Sequence, residues 1–174
     1  MIVRTCDVAS PIGNVWLCVS EDGLAALGIG PRARQRLEVN LRRFAGARFV
    51  AARDPDGVAS RIDAYFAGGR PLDGLRLDLG GTPFQARVWR ALALVPLGRT
   101  ETYAQVAARI GRPTAIRAVA RANATNPVSL VVPCHRIIGT AGDLRGYGWG
   151  LARKRWLLEH EAAWRGRAAV APRG

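Results

Sequence analysis

The sequence predicts an α/β first half, built from an antiparallel sheet plus helices, followed by a mostly helical second half with a helix-turn-helix. Three observations point there. Short apolar runs of strand composition, divided by Pro, Gly and Asn turns, open the chain. Two capping boxes start helices in the second half. The charge is lopsided: residues 1–80 hold 11 basic and 9 acidic side chains, residues 81–174 hold 15 and 4.

Composition sets the outer limits. At 174 residues and 49% apolar, the chain can fill the core of one or two small domains. No apolar run reaches the roughly 18 residues of a membrane-spanning helix, and no secretory leader is legible at the start. No membrane partner is expected. Cys6, Cys18 and Cys134 cannot form a closed disulfide set, which fits free thiols in a reducing, cytoplasmic setting. The net charge of +13, concentrated in the second half, calls for a polyanion, most simply nucleic acid. Every basic residue except Lys154 is an arginine. Codon usage in a GC-rich genome accounts for Arg over Lys, but not for the asymmetry between halves.

In the first half, residues 2–9 and 12–20 read as strands joined by a Pro-Ile-Gly-Asn turn, and residues 23–29 as a third strand. Residues 32–44 read as a helix, with Leu37, Leu41 and Phe44 on one face. A short strand at 48–52 and a helix at 58–66 follow, the helix stopped by Gly68 and Gly69. Residues 70–80, with Pro71, Gly74 and Gly80, read as an extended linker. Cys6 and Cys18 lie on strands. The only histidines, His135 and His160, are far away, so neither a metal nor any other cofactor is expected.

In the second half, Thr82 caps a helix, Pro83 suits its first position and Gln85 completes the box. Phe84, Val88, Ala91, Leu92 and Val95 follow one face, until Pro96 and Gly98 stop it. Thr102 to Gln105 repeats the box, and that helix runs to Ile110 and Gly111. Residues 114–124 form the next helix, with Ile116, Val119 and Ala120 on one face and Arg117 and Arg121 one turn apart. Two short helices around a Gly-containing turn are a helix-turn-helix candidate. The small residues Ala115, Ala118, Ala120 and Ala122 allow close approach to DNA. A glycine-rich loop at 139–150 leads into a last helix at 151–164, and the tail 165–174 is expected to be flexible.

Between these helices lies VVPCHRII, residues 131–138. Pro133 fixes the backbone before a thiol, and apolar flanks place Cys134, His135 and Arg136 at depth. Buried polar groups need partners. Glu161, four residues after Leu157 and three after Leu158, shares the inward face of the last helix, where a carboxylate also needs a partner.

In this order and spacing the chain resembles the O6-alkylguanine-DNA alkyltransferases. The matching stretches are GTPFQARVW (81–89), VPLGRTETY (95–103), GRPTAIRAVARANATNP (111–127), VVPCHRIIG (131–139) and GYGWGLARKRWLLEHE (146–161). The resemblance implies an N-terminal α/β domain resembling ribonuclease H, residues 1–80 with its linker. It implies a DNA-binding and alkyl-acceptor domain at 81–164. The implied partner is alkylated double-stranded DNA, met by a monomer for which cooperative binding is left open.

The resemblance also implies roles. Cys134 would accept the alkyl group from O6 of guanine once and irreversibly. A free thiol with a pKa near about 8.5 is only a few per cent ionised at pH 7, so His135 would draw off its proton through a water. Glu161 would orient His135, and Asn126 would help hold the network, the nucleophile–base–orienter logic of triads. Tyr103 would crowd the target phosphate and assist proton transfer. Arg117 would fill the gap left by a flipped nucleotide, and Ala118, Arg121 and Arg136 would join the DNA contact from the minor groove. Tyr147, Gly148 and Trp149, with Val132 and Pro133, would line the base pocket. Ala120 and Arg121 stand where many members have glycines, and Trp149 where many have a small residue. A narrower pocket that favours methyl over bulky groups is expected. The competing reading is a helix-turn-helix DNA-binding module without chemistry. A cysteine hydrolase is disfavoured because adjacent Cys and His rarely act as direct partners.

Overall fold

The computed structural model describes residues 1–170, with side chains through residue 166. Four strands form the first sheet: β1 (Ile2–Val8), β2 (Val15–Val19), β3 (Leu24–Ile29) and β4 (Arg48–Ala51), in the order β3-β2-β1-β4. β2 and β3 are buried throughout and accordingly read as unbroken apolar runs. β1 pairs antiparallel with β2, and β2 with β3. β4 instead lies parallel to β1, with Ile2 opposite Arg48, so the sheet is mixed rather than antiparallel. The helical crossover after β3 carries the chain to the far edge of the sheet, and crossovers of that kind return a strand parallel.

That crossover is not the single helix expected at 32–44. It breaks into α1 (Ala33–Arg36), α2 (Glu38–Leu41) and a 3-10 turn, Arg42–Phe44. Leu37 sits between the two short helices at φ −90° and ψ 1°, and neither has a side-chain cap. Buried Leu37 and Phe44 pin the segment to the core. Helix α3 (Val58–Phe66) buries Val58, Ala59, Ile62 and Tyr65, a stripe at helical spacing.

Residues 70–80, expected as a linker, are docked on the sheet. The Leu24 amide donates to Arg76 O (2.8 Å), and the Asp78 amide to Leu24 O (2.9 Å). Further along the same strand, the Leu27 amide donates to Pro127 O (2.8 Å) and the Ser129 amide to Leu27 O (3.1 Å). The open edge of β3 is thus covered by one segment from each half, which satisfies backbone groups that an edge strand would expose. The second of these segments leads into the Cys-His stretch.

In the second half, α4 (Pro83–Ala93) and α5 (Tyr103–Arg109) start where the capping boxes place them, and both reciprocal bonds of each box are made. Helix α6 (Ile116–Ala124) follows Gly111 and has no side-chain cap. Val88, Trp89, Leu92, Val106, Ala107, Val119 and Ala122 are buried where α4, α5 and α6 meet, and Trp89 Nε1 donates to Ala122 O (2.8 Å). Two short strands, β5 (Glu101–Thr102) and β6 (Ile137–Ile138), pair in parallel. Helix α7 runs Leu151–Val170, past the expected end at 164 and into the segment expected to be a flexible tail. Residues 171–174 of that segment lie outside the described residues. One contiguous hydrophobic core runs through both halves. Among the described residues, no helix is long and apolar enough to cross a membrane.

Candidate active site

The backbone of the Cys-His stretch is held under strain. Leu130, almost fully buried, adopts φ +72°, a conformation that costs a non-glycine residue about 1–3 kcal/mol. The Val132 amide bonds Val128 O (3.0 Å), and Pro133 leads into a 3-10 turn, Cys134–Arg136. The tight turn divides consecutive side chains. Cys134 reaches a cleft, while His135 and Arg136 reach α7.

Glu161 of α7 is fully buried and accepts a dense set of hydrogen bonds. Its Oε1 accepts from His135 Nε2 (2.8 Å), Tyr65 Oη (2.7 Å) and Arg136 Nη2 (2.9 Å). Its Oε2 accepts from Arg136 Nε (2.8 Å) and the Gly98 amide (3.4 Å). Burial alone would raise the carboxyl's pKa, but the bonds and charges of His135 and Arg136 outweigh it and hold Glu161 well below the usual carboxylate range. An ionised carboxylate only accepts, so the network assigns the His135 proton to Nε2. His135 Nδ1 then carries the free lone pair; it is buried and has no protein partner. Burial lowers the His135 pKa against the opposing pull of Glu161, which keeps the ring neutral.

Arg136 was expected at the DNA surface. It is instead an internal cation, bound to Glu161 through two nitrogens and to Val95 O through Nη1 (2.6 Å). A buried carboxylate needs a charge partner, and the apolar context of residues 131–138 places Arg136 to supply it.

Cys134 is buried at the wall of a cleft of about 1020 Å³. Burial pushes its thiol pKa up. Asn126 and Ser129, by hydrogen bonding, and the Lys154 charge offset part of that rise. The resting thiol is therefore neutral at pH 7. Ser129 Oγ lies 4.0 Å from Cys134 Sγ. Asn126 works mainly on the backbone: Nδ2 donates to Val132 O (2.7 Å), and Oδ1 accepts from the Val128 amide (3.0 Å). Lys154 is fully buried, with Nζ donating to Ile137 O (2.5 Å). Burial pulls its pKa down to about 8.

Tyr103, Tyr147, Gly148 and Trp149 line the cleft with Cys134, Asn126 and Ser129, and Arg117, Ala120 and Asn123 of α6 form the facing side. Tyr103 is half-buried, and its pKa is raised by burial and by Cys134. Trp149 is pinned on three sides. Its Nε1 donates to Ser129 Oγ (2.6 Å), the Arg36 guanidinium lies 4.9 Å from its ring centre, and Gly28 lies beneath it. A Cβ on Gly28 would come within 2.6 Å of the indole, so that close approach requires glycine. Tyr147 Oη and Asn123 Oδ1 are buried without a protein partner. Val132 and Pro133 are not part of the wall; they are buried behind it, with the Val132 carbonyl taken by Asn126 and the Cys134 amide. Ala118 and Arg121 are exposed on α6, outside the cleft.

Four contributors carry little or no signal in the sequence. Tyr65 comes from the other half of the chain and gave no local signal. Ser129 is a lone hydroxyl beside an apolar run, a weak sign. Lys154 is the single lysine among arginines, and that singularity is its signal. Arg36 is one of several arginines in a helical pattern, with nothing local to single it out.

The DNA-binding domain model of 6-O-methylguanine DNA methyltransferase matches residues 83–163. A methylated-DNA–protein-cysteine methyltransferase of Salmonella typhimurium is 44% identical over 158 residues, which cover 88% of this chain and 92% of that protein. The one from Mycobacterium leprae is 53% identical over 104 residues, 60% of this chain and 63% of that protein. A crystal structure of Mycobacterium tuberculosis O6-methylguanine methyltransferase matches with a TM-score of 0.79 at 37% identity, covering 99% of this chain and 96% of that one. The structure of Mycobacterium tuberculosis OGT in complex with DNA gives 0.77 at 39% identity, covering 94% of each chain.

Proposed function

We infer the chemistry from kinship: this chain belongs to the methylated-DNA–protein-cysteine methyltransferase family. It is a methyltransferase that repairs alkylated DNA, and DNA is its partner. The acceptor is Cys134. One observation carries this assignment: a cysteine opens into the cleft, and the adjacent imidazole has one nitrogen held by a buried carboxylate and the other free.

The thiol proton passes through a water to His135 Nδ1. The resulting imidazolium is stabilised by Glu161 at Nε2. The thiolate attacks the alkyl carbon; the S–C bond forms as the C–O6 bond breaks, and the leaving guanine takes up a proton, delivered by way of Tyr103. The thioether that forms has no route back, so each chain acts once. The resting thiol is neutral, so ionisation belongs to the DNA complex, where the cleft is filled.

The base reaches the cleft by flipping. Extrusion costs a few kcal/mol, roughly, and less for a damaged pair. Arg117, exposed at the cleft mouth on α6, fills the vacated stack. Helices α5 and α6 act as a helix-turn-helix whose second member enters the minor groove. Its small residues suit that narrow site, with Ala118 and Arg121 alongside. The base packs among Tyr147, Gly148 and Trp149, where the Tyr147 hydroxyl and Asn123 Oδ1 are available to its polar edge. The β3-β2-β1-β4 order, with β4 parallel to β1, supports a ribonuclease H-like reading of the first half. The protein works as a monomer in the reducing cytoplasm, to which three free cysteines are suited.

Because Trp149 is held by Ser129, Arg36 and the surface over Gly28, the pocket cannot widen easily. O6-methylguanine is expected to react faster than O6-benzylguanine, and Trp149→Gly to narrow that gap; a faster benzyl reaction in the unaltered protein would contradict this. Incubation with excess methylated duplex tests single turnover. Repair should stop at one base per chain, and continued repair would exclude an irreversible acceptor.

A further inference from the structure

Tyr65 belongs to α3, in the other half of the sequence from the alkyl acceptor, yet its hydroxyl donates to Glu161 Oε1 at 2.7 Å. That oxygen also accepts from His135 Nε2 at 2.8 Å and Arg136 Nη2 at 2.9 Å. A carboxylate oxygen has two lone-pair sites, so the donors compete. Tyr65 is almost fully buried, with its ring edge-on to Phe66 and His160 at 5.2 and 5.4 Å. The backbone carbonyl of Tyr65 is also held, by His160 Nε2 at 2.9 Å. The hydroxyl is therefore fixed in place by α3 together with His160 of α7.

We propose that Tyr65 is a positioning residue for the proton relay: by sharing Glu161 Oε1 with His135, it limits how strongly the carboxylate holds a proton on the imidazole. The proposal rests on the reading of His135 as the base for Cys134. Other charged or titratable groups face this pair. Arg136 comes from the same turn as His135, Lys154 from α7, Cys134 from the cleft wall and Tyr147 from the glycine-rich loop. Arg136 and Lys154 disfavour a second positive charge on His135. Tyr65 adds to this by drawing charge from the oxygen that His135 would lean on. Burial and the neighbouring carboxylate push the phenol's own pKa far up, so it remains a donor across the working range. The arrangement gives the N-terminal half a part in the chemistry.

The test is the pH profile of the transfer rate at saturating methylated duplex, in the full chain and in Tyr65→Phe. The acid limb reports His135 protonation. Without the hydroxyl, Glu161 holds the imidazolium more strongly, so the limb should move up by about half a pH unit or more. Below the limb the variant should be about threefold slower, and at alkaline pH the rates should converge. Site-specific 3,5-difluorotyrosine at position 65 keeps the ring and strengthens the donor, so it should move the limb down. That substitution also decides the matter if the Phe variant does not fold. Superimposable profiles, or a uniform loss of rate at every pH, would overturn the proposal. No transfer in the unaltered protein would instead overturn the assignment of Cys134 and His135.

Discussion

Arg136 and Arg117 both belong to the basic half of the chain, but they do opposite things. Arg136 is buried, bonded to Glu161 through two nitrogens and to a backbone carbonyl. Arg117 is exposed at the mouth of the cleft, with no salt-bridge partner among the described residues. The relay around Glu161 is buried and densely bonded, its geometry set by groups from α3, α7 and the Cys-His turn. The face of α6 is solvated and open to a polyanion. Net charge predicts the second region. The first follows only from burial, because a desolvated carboxylate needs internal donors wherever they are encoded.

The contrast is tested hardest at His135. Replacing it with Gln should slow transfer by about 100-fold or more, the usual scale of a general base, and leave duplex affinity unchanged. If affinity falls instead, the relay is not separate from the binding face.

Stability should divide along the same line. Glu161→Ala strands the Arg136 cation and should cost about 3–5 kcal/mol in denaturant unfolding. Arg117→Ala should stay within about 0.5 kcal/mol. The pH dependence has a definite sign. The folded pKa of Glu161 is depressed, so its contribution is complete above the ordinary carboxylate value of 4.5 and fades as pH falls. Glu161→Gln should flatten that acid loss, and an unchanged acid limb of stability would argue against an ionised Glu161.

The smallest expected effect lies on the surface. Arg121→Ala should weaken duplex binding and reduce the slope of affinity against salt by about one ion. Arg136→Ala should leave the slope per folded molecule unchanged. Equal slopes in Arg121→Ala and the unaltered protein would remove Arg121 from the DNA contact.

Much of this was legible in the sequence where the causes are local. Thr82 and Thr102 announce helix starts because a capping box is complete within four residues. Glu161 faces inward because it falls on the stripe of Leu157. What escaped is long-range. The parallel partner of β1 lies across a crossover, and the docking of residues 70–80 depends on an edge strand that composition does not reveal. Tyr65 meets Glu161 across 96 residues. Arg136 differs: its charge points to the surface, while its apolar flanks imply depth, and the flanks decide. The break at Leu37 was hidden because the helical pattern continues through it.

The central claim is that Cys134 takes the alkyl group, and it is tested most directly by incubating the protein with duplex DNA holding one O6-methylguanine and mapping the product by peptide mass. The expected result is one added methyl per chain, located on the peptide containing Cys134, guanine restored in the DNA, and neither change in Cys134→Ala. A methyl on Cys6 or Cys18, or restored guanine with Cys134 unmodified, would contradict it.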